Sequence, residues 1–172
     1  MKHLLVALFL ILSCSQAFAF DLTLQNTPVS IYFSPRGGAQ DAIVNSIGRA
    51  KASIYVQAYS FTSAPIAKAL VEANNRGVKV EAILDKSQRK ATYTGATFLK
   101  NAGIPVYIDQ AHAIAHNKVM VIDKTTVVTG SFNFTKAAEE KNAENLLIIH
   151  DQELARLYFE NWERHREHSE IY

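Results

Sequence analysis

The chain has 172 residues, 18 Lys and Arg against 16 Asp and Glu, 48% hydrophobic residues and one cysteine. That length supports one well-cored domain, and the near balance of charge excludes a polyanionic partner held by net charge alone, so any such attraction must come from a local patch. A single cysteine excludes an internal disulfide framework.

Residues 1–19 read as a targeting segment. Lys2 and His3 give a basic start, Leu4 to Leu12 is an unbroken apolar run, and Ala17-Phe18-Ala19 fits a small-x-small cleavage site. Nine apolar residues fall well short of the about 20 that span a bilayer, so a cleaved signal peptide is expected, with residues 20–172 as the mature domain. Cys14 after Ser13 is an alternative lipid-attachment site, which the preceding Leu12 fits poorly. Cleavage would remove Lys2 and the only cysteine, leaving a thiol-free domain suited to an oxidising periplasm. Periplasmic or secreted location, without stable membrane association, is the expectation.

In the mature chain, Val29 to Phe33 alternates as a strand and Ala39 to Ala50 carries a helical spacing through Ile43 and Ile47. Ser53 to Ala58 is a strand. Ser63 is the N-cap of a helix with Pro65 in its first turn and Gly77 at its end. Val78 to Leu84 is a strand, Thr94 to Ala102 a helix stopped by Gly103, and Pro105 to Ile108 a strand. Glu144 to Ile149 is a last strand. Asp151 to about Arg166 is a last helix, with Leu154, Leu157, Tyr158 and Trp162 along its inner side. Alternating strands and helices predict an α/β sheet flanked by helices.

The densest chemistry lies in residues 116–133, HNKVMVIDKTTVVTGSFN. His116, Lys118, Asp123, Gly130, Ser131 and Asn133 stand there at H-x-K-x4-D-x6-G-S-x-N spacing, and the pattern occurs once. A histidine can attack phosphorus or carry a proton near neutral pH. A lysine with Ser and Asn donors suits the non-bridging oxygens of a phosphodiester. Residues two apart in a strand share a face, so His116 aligns with Lys118 and Ser131 with Asn133. A two-residue Lys124-Thr125 loop would set Lys118 against Ser131 and His116 against Asn133 on one face of a hairpin, although that dipeptide is not a favoured turn. Apolar residues on both faces (Val119 to Ile122, Val127, Val128) put this hairpin in the middle of the sheet.

Other features admit two readings. Lys86, Arg89 and Lys90 form a basic loop beyond a strand end, either tracking phosphates or simply solvated. Gly37-Gly38 starts a helix and could cradle an anion, a plain helix start being favoured. Tyr55, Tyr59 and Phe61 could stack on bases, though such alternation is more usual in a core. His112 and His116, four apart, suggest a zinc pair, but His116 begins a strand and no third ligand has suitable spacing. His112 therefore reads as a solvated loop residue and the Arg164-His165-Arg166 helix end as a solvated face. Carboxylates near the motif are too scattered for a two-metal site, which favours metal-free catalysis without a cofactor.

The six-residue spacing resembles the signature of the phospholipase D superfamily, and the whole mature chain is similar to its small, single-motif bacterial endonucleases of the Nuc type. The resemblance implies an α/β/α sandwich with a central mixed sheet. It also implies a homodimer in which two motif copies meet at one active site. It implies that His116 is the nucleophile of a covalent phosphohistidine, while its copy in the second subunit protonates the leaving oxygen and later activates water. Lys118 and Asn133 would bind phosphate oxygens and Ser131 would hydrogen-bond within the site. Glu144, 11 residues past Asn133, stands where the family has an acidic residue orienting the histidine. Asp123 would belong to the framework, and Gly130, expected on the opposite face from the polar set, would permit close packing. The expected activity is non-specific hydrolysis of DNA, and of RNA, without a metal. The rivals are a phospholipase D or phosphatidyl transferase acting on lipid headgroups, a membrane-anchored single-motif enzyme, and a nucleic-acid-binding module without catalysis.

Overall fold

The computed structural model describes residues 19–89 and 95–172. The leader expectation (with Cys14), Lys90 of the basic loop and Thr94 at the third helix's start lie outside the described residues, Ala19 apart.

Eight strands form one mixed sheet in the order β1-β7-β6-β5-β2-β3-β4-β8. They are β1 (Val29–Ser34), β2 (Ser53–Ala58), β3 (Lys79–Asp85), β4 (Val106–Asp109), β5 (Lys118–Ile122), β6 (Thr126–Gly130), β7 (Glu144–His150) and β8 (Glu170–Ile171). β2, β3 and β4 run parallel because helical crossovers join them; the remaining pairs are antiparallel. The expected fold class, an α/β sandwich of helices about a mixed sheet, is what the chain adopts.

The helices α1 (Ala39–Arg49), α2 (Ala64–Asn75) and α3 (Gly95–Asn101) cover one face of the sheet. Ile43, Ile47, Ile66, Leu70 and Leu99 sit there fully buried against Ile54, Val56, Leu84 and Met120. Ser63 caps α2 by accepting the Ile66 amide at 3.4 Å, with Pro65 in the first turn, as its sequence predicts. The opposite face carries α5 (Gln152–Glu167), capped by Asp151 through the Leu154 amide at 2.8 Å. α5 lays Ala155, Phe159 and Trp162 on Tyr55, Val119, Val121 and Val127, and the Trp162 indole donates to the Val56 carbonyl at 2.9 Å. Leu157, expected on this inner side, is only partly buried, and Ala155 and Phe159 take its place.

One helix cannot cover a face of eight strands. On the α5 side the edge strand β1 therefore shows Val29, Ile31 and Phe33 at 43%, 57% and 67% exposure. Three short elements escaped the sequence pattern: a 3-10 turn at Lys86–Arg89, helix α4 (Lys136–Glu140) and β8. Each is too short to show a period.

The hairpin expectation needs correcting by one residue. Ile122 pairs with Thr126 and Met120 with Val128, so the turn holds three residues, Asp123, Lys124 and Thr125. Asp123 and Lys124 take positive φ of 52° and 53°. Extending this register sets Gly130 rather than Ser131 across from Lys118, on the Lys118 face and not the opposite one.

Asp123 explains why the turn tolerates this. Its carboxylate accepts from the amides of Ala52 (2.7 Å), Ser53 (2.9 Å) and Lys51 (2.9 Å), while its own amide donates to the Ser53 carbonyl. Burial pushes its pKa up, but the amides of Ser53, Ala52 and Lys51 outweigh that and hold it below the ordinary carboxylate range. Asp123→Ala is expected to cost about 2 kcal/mol at neutral pH, a figure already discounted for partial exposure. That corresponds to a Tm lower by roughly 4–8 °C in a domain of this size. Because the folded pKa is depressed, the contribution is complete above the unfolded value of about 3.9 and disappears as pH falls through the folded pKa. Equal Tm values for the two proteins at pH 7 would contradict this framework role.

Candidate active site

The motif residues other than Asp123, which secures the turn at the opposite end, lie at one end of the sheet, where β2 and β3 finish, β5 and β7 begin and β6 ends. This is the end at which open α/β sheets place their ligands. Tyr59, just past β2, continues the ladder by donating its amide to the Asn117 carbonyl at 2.8 Å. Its ring then lies 4.6 Å from the His116 ring and 5.2 Å from Lys118 Nζ. The three aromatic candidates thus separate. Tyr55 packs under α5 and Phe61 is wholly buried, leaving Tyr59 at the site.

His116 is exposed, and among the described residues nothing hydrogen-bonds to its ring. Lys118 is 7% exposed and donates from Nζ to the His116 carbonyl at 2.7 Å. Burial lowers its pKa, and the negative charge of Glu144 opposes that shift. A half-desolvated ammonium beside an exposed imidazole is a strong locus for an anion.

Ser131 and Asn133 leave the ladder through a bulge. The Asn145 carbonyl accepts from both Ser131 and Phe132 amides, at 3.1 and 3.3 Å. Gly130 has φ 144°, and a Cβ there would stand 2.2 Å from the Asn145 carbonyl oxygen, so its place in the motif follows from close packing, as expected. The bulge turns Phe132 into the core, while the Ser131 hydroxyl donates to Glu144 Oε2 at 2.6 Å. Asn142 donates to Glu144 Oε1 at 3.0 Å. Within the described chain Glu144 is thus bound to Ser131 and Asn142, not to His116, the residue the resemblance would have it orient. Asn133 carries a buried side-chain atom, assigned Oδ1, with no hydrogen-bond partner. Amide oxygen and nitrogen are interchangeable by a flip, so the orphan atom offers a donor or an acceptor to an incoming group.

Sequence reasoning missed Asp85, the buried last residue of β3. It accepts from the Ser87 amide at 2.9 Å and the Ala115 amide at 2.8 Å, fixing the loop that delivers His116. Its position at the carboxyl end of a central strand was the available signal. A groove leads from Tyr59 past Asp85, Lys86, Ser87, Arg89 and Ile114. The described part of the basic loop therefore borders the site, with Arg89 paired to Glu170 at 3.3 Å. Gly37-Gly38 does not. A side chain on Gly37 would collide with the Phe33 carbonyl, and the α1 N-terminus is already served by Glu139, which accepts the Gln40 amide at 2.9 Å.

The histidine readings also change. His112 and His165, expected to be solvated, both bind Asp109, each at 2.9 Å, and His168 lies 3.4 Å from the same oxygen. Burial drives Asp109 upward, but hydrogen bonds from His165, His112 and His168 reverse this and hold its pKa at about 2. His112 and His116 do not form the pair that their spacing suggested.

The profile of the family "Cardiolipin synthase, PLD-like domain" matches residues 43–166. This chain belongs to the phospholipase D superfamily. A protein named phospholipase D from Rickettsia conorii is 47% identical over 154 residues, covering 89% of this chain and 77% of its own. The human mitochondrial cardiolipin hydrolase is 33% identical over 131 residues, 76% of this chain and about half (52%) of that protein. Among solved structures, the phospholipase D family member Nuc from Salmonella typhimurium superposes with a TM-score of 0.82 at 39% identity. It covers 86% of this chain and 99% of that one. NucT from Helicobacter pylori shares the fold, with a TM-score of 0.78 at 24% identity over 86% of this chain and 100% of that one. The superfamily is one of phosphodiester hydrolases, which is the chemistry the residues at this sheet end are equipped to perform.

Proposed function

We propose that this protein is an exported, non-specific endonuclease that hydrolyses phosphodiester bonds of DNA and RNA without a metal, using an active site completed by a second copy of the chain. One observation supports the reading: exposed His116, buried Lys118 and the orphaned Asn133 amide belong to the same end of the sheet, beside a groove edged by Tyr59, Lys86 and Arg89. A long polyanion can lie along such a groove with one phosphate at the rim and its neighbours near the cations.

In the proposed reaction a His116 ring nitrogen attacks phosphorus, forming a P–N bond as the P–O bond to the leaving oxygen breaks. That oxygen takes a proton from the second copy's histidine. Water then attacks the phosphohistidine, passing its proton to the same second histidine and restoring both. Lys118 and Asn133 hold the non-bridging oxygens as charge builds. The apolar stripe of β1 supports the second copy. Phe33 pairs with Asn145 and Ser34 with Glu144, so the exposed stripe runs directly into the site. A two-fold axis beside it would bring two sites together. Export rests on the leader-like residues 1–19 and is checked by the mass of the mature protein.

Cleavage of plasmid DNA and RNA is expected to persist in excess EDTA. Complete loss restored by magnesium would overturn the mechanism. The names of the rickettsial and mitochondrial relatives favour a second reading, hydrolysis of a phospholipid headgroup by the same residues. Phosphatidylcholine and cardiolipin vesicles in parallel reactions separate the two: lipid turnover without nucleic-acid cleavage would replace the nuclease reading.

A further inference from the structure

Asp109, at the end of β4, is fully buried. Around it stand His112 from the following loop and His165 and His168 from the end of α5 and its cap. One nitrogen from each imidazole and a carboxylate oxygen all lie within 4.8 Å of one another. The rings contact pairwise, with centroids 4.9, 5.2 and 5.3 Å apart. Three imidazole nitrogens address the single oxygen Oδ2, at 2.9, 2.9 and 3.4 Å. The other oxygen, Oδ1, is engaged by the amides of Ala111 and His112 and shares His112 Nδ1 at 3.1 Å. Two amides and three imidazole N–H groups would make five donors for about four lone-pair sites on one carboxylate. Neutral imidazoles turning their lone pairs to a common centre resolve this if a cation occupies that centre.

We infer that Asp109, His112, His165 and His168 form a structural binding site for a divalent transition metal ion of the zinc class. Four N and O ligands are the composition of a closed tetrahedral site, whose bonds of about 2.0–2.2 Å set ligand atoms about 3.4 Å apart, so the oxygen backs away from the nearer nitrogens and donors as far as 4.8 Å apart draw together. Imidazole-rich sets select zinc, cobalt, nickel or copper over magnesium and calcium, which take oxygen ligands. The Ala111 and His112 amides fix the carboxylate as outer-shell partners do at metal sites. Ser169 Oγ donates to the His165 carbonyl at 2.7 Å and Tyr172 N to the Val106 carbonyl at 2.9 Å, so the last residues are already threaded along β4. The ion ties the end of α5 to the sheet and to the loop that ends at His116. β2 and β3 lie between this cluster and β5, so the ion takes no part in phosphodiester chemistry.

The test uses the full mature chain, stripped with chelator and desalted, then titrated with Co2+ and with Zn2+. Co2+ is expected to give the intense visible absorption of a tetrahedral complex at one ion per chain, bleached by one equivalent of Zn2+. Zn2+, but not Mg2+, should raise Tm. His168→Gln and His112→Gln, both at solvent-reaching positions, should each weaken Zn2+ binding at least tenfold and reduce the Zn2+-induced rise in Tm. Wild-type protein that shows neither the cobalt spectrum nor a Zn2+-dependent Tm overturns the inference, whatever the variants do. Undiminished Zn2+ binding in the folded His168→Gln and His112→Gln proteins overturns it equally.

Discussion

His116→Ala is expected to abolish nucleic-acid cleavage, lowering kcat by roughly 10³-fold or more, as when a nucleophile is removed from a covalent mechanism. The fold should not notice. His116 is exposed and its ring contact is with Tyr59, so circular dichroism and Tm should match the wild type. Lys118→Met behaves differently because the side chain is buried. The substitution keeps the apolar stem in the core and removes only the ammonium, which should cost about 10²–10³ in kcat through lost stabilisation of developing phosphate charge. Near wild-type cleavage by either folded variant would refute the site assignment.

Mixing folded wild-type and His116→Ala chains under exchanging conditions should produce heterodimers that are almost inactive. One site shared by two chains needs both histidines, one to attack and one to protonate the leaving oxygen, so a heterodimer retains only half of an inseparable pair. At a 1:1 mixture with random exchange, activity should fall towards the homodimer fraction, about a quarter of the unmixed wild-type total. Independent sites would instead give half. Ile31→Asp, on the exposed stripe and paired with Leu147, further along β7 from Glu144 than Phe33, should shift the protein to a monomer in sedimentation and abolish turnover together. A fully active monomer would end the composite-site reading.

Much of this architecture is legible in the sequence because the strands alternate or run apolar, and because Ser63, Pro65, Gly77 and Gly103 mark helix limits by local chemistry. The motif located the site for a different reason, since its six positions report chemistry and close packing together. The hairpin register was not legible. Asp123 and Lys124 adopt positive φ only because the Lys51–Ser53 segment supplies three amides, a contact some 70 residues away in sequence. The Asp109 cluster was hidden likewise. His112 and His165 lie far apart in the chain and meet only because β4 sits at the sheet margin beneath the end of α5. Asp85 shows the same limit, being an ordinary strand-end acid until the loop that delivers His116 folds over it.

The proline after β1 has a bearing on how the protein behaves at high concentration. Among the described residues the outer edge of β1 has no strand beside it, and its exposed side chains alternate Val29, Ile31, Phe33, a composition that invites foreign strands to add on and grow into aggregates. The missing amide of Pro28 falls on the inner side, where its carbonyl accepts from the His150 amide at 3.1 Å, but Pro35, just past the strand, has no amide hydrogen to offer a newcomer. The open edge spans six residues, about 20 Å of ladder, and Pro35 closes it at one end. A partner can dock there, but a cross-strand stack extended past Ser34 finds a missing donor and stops.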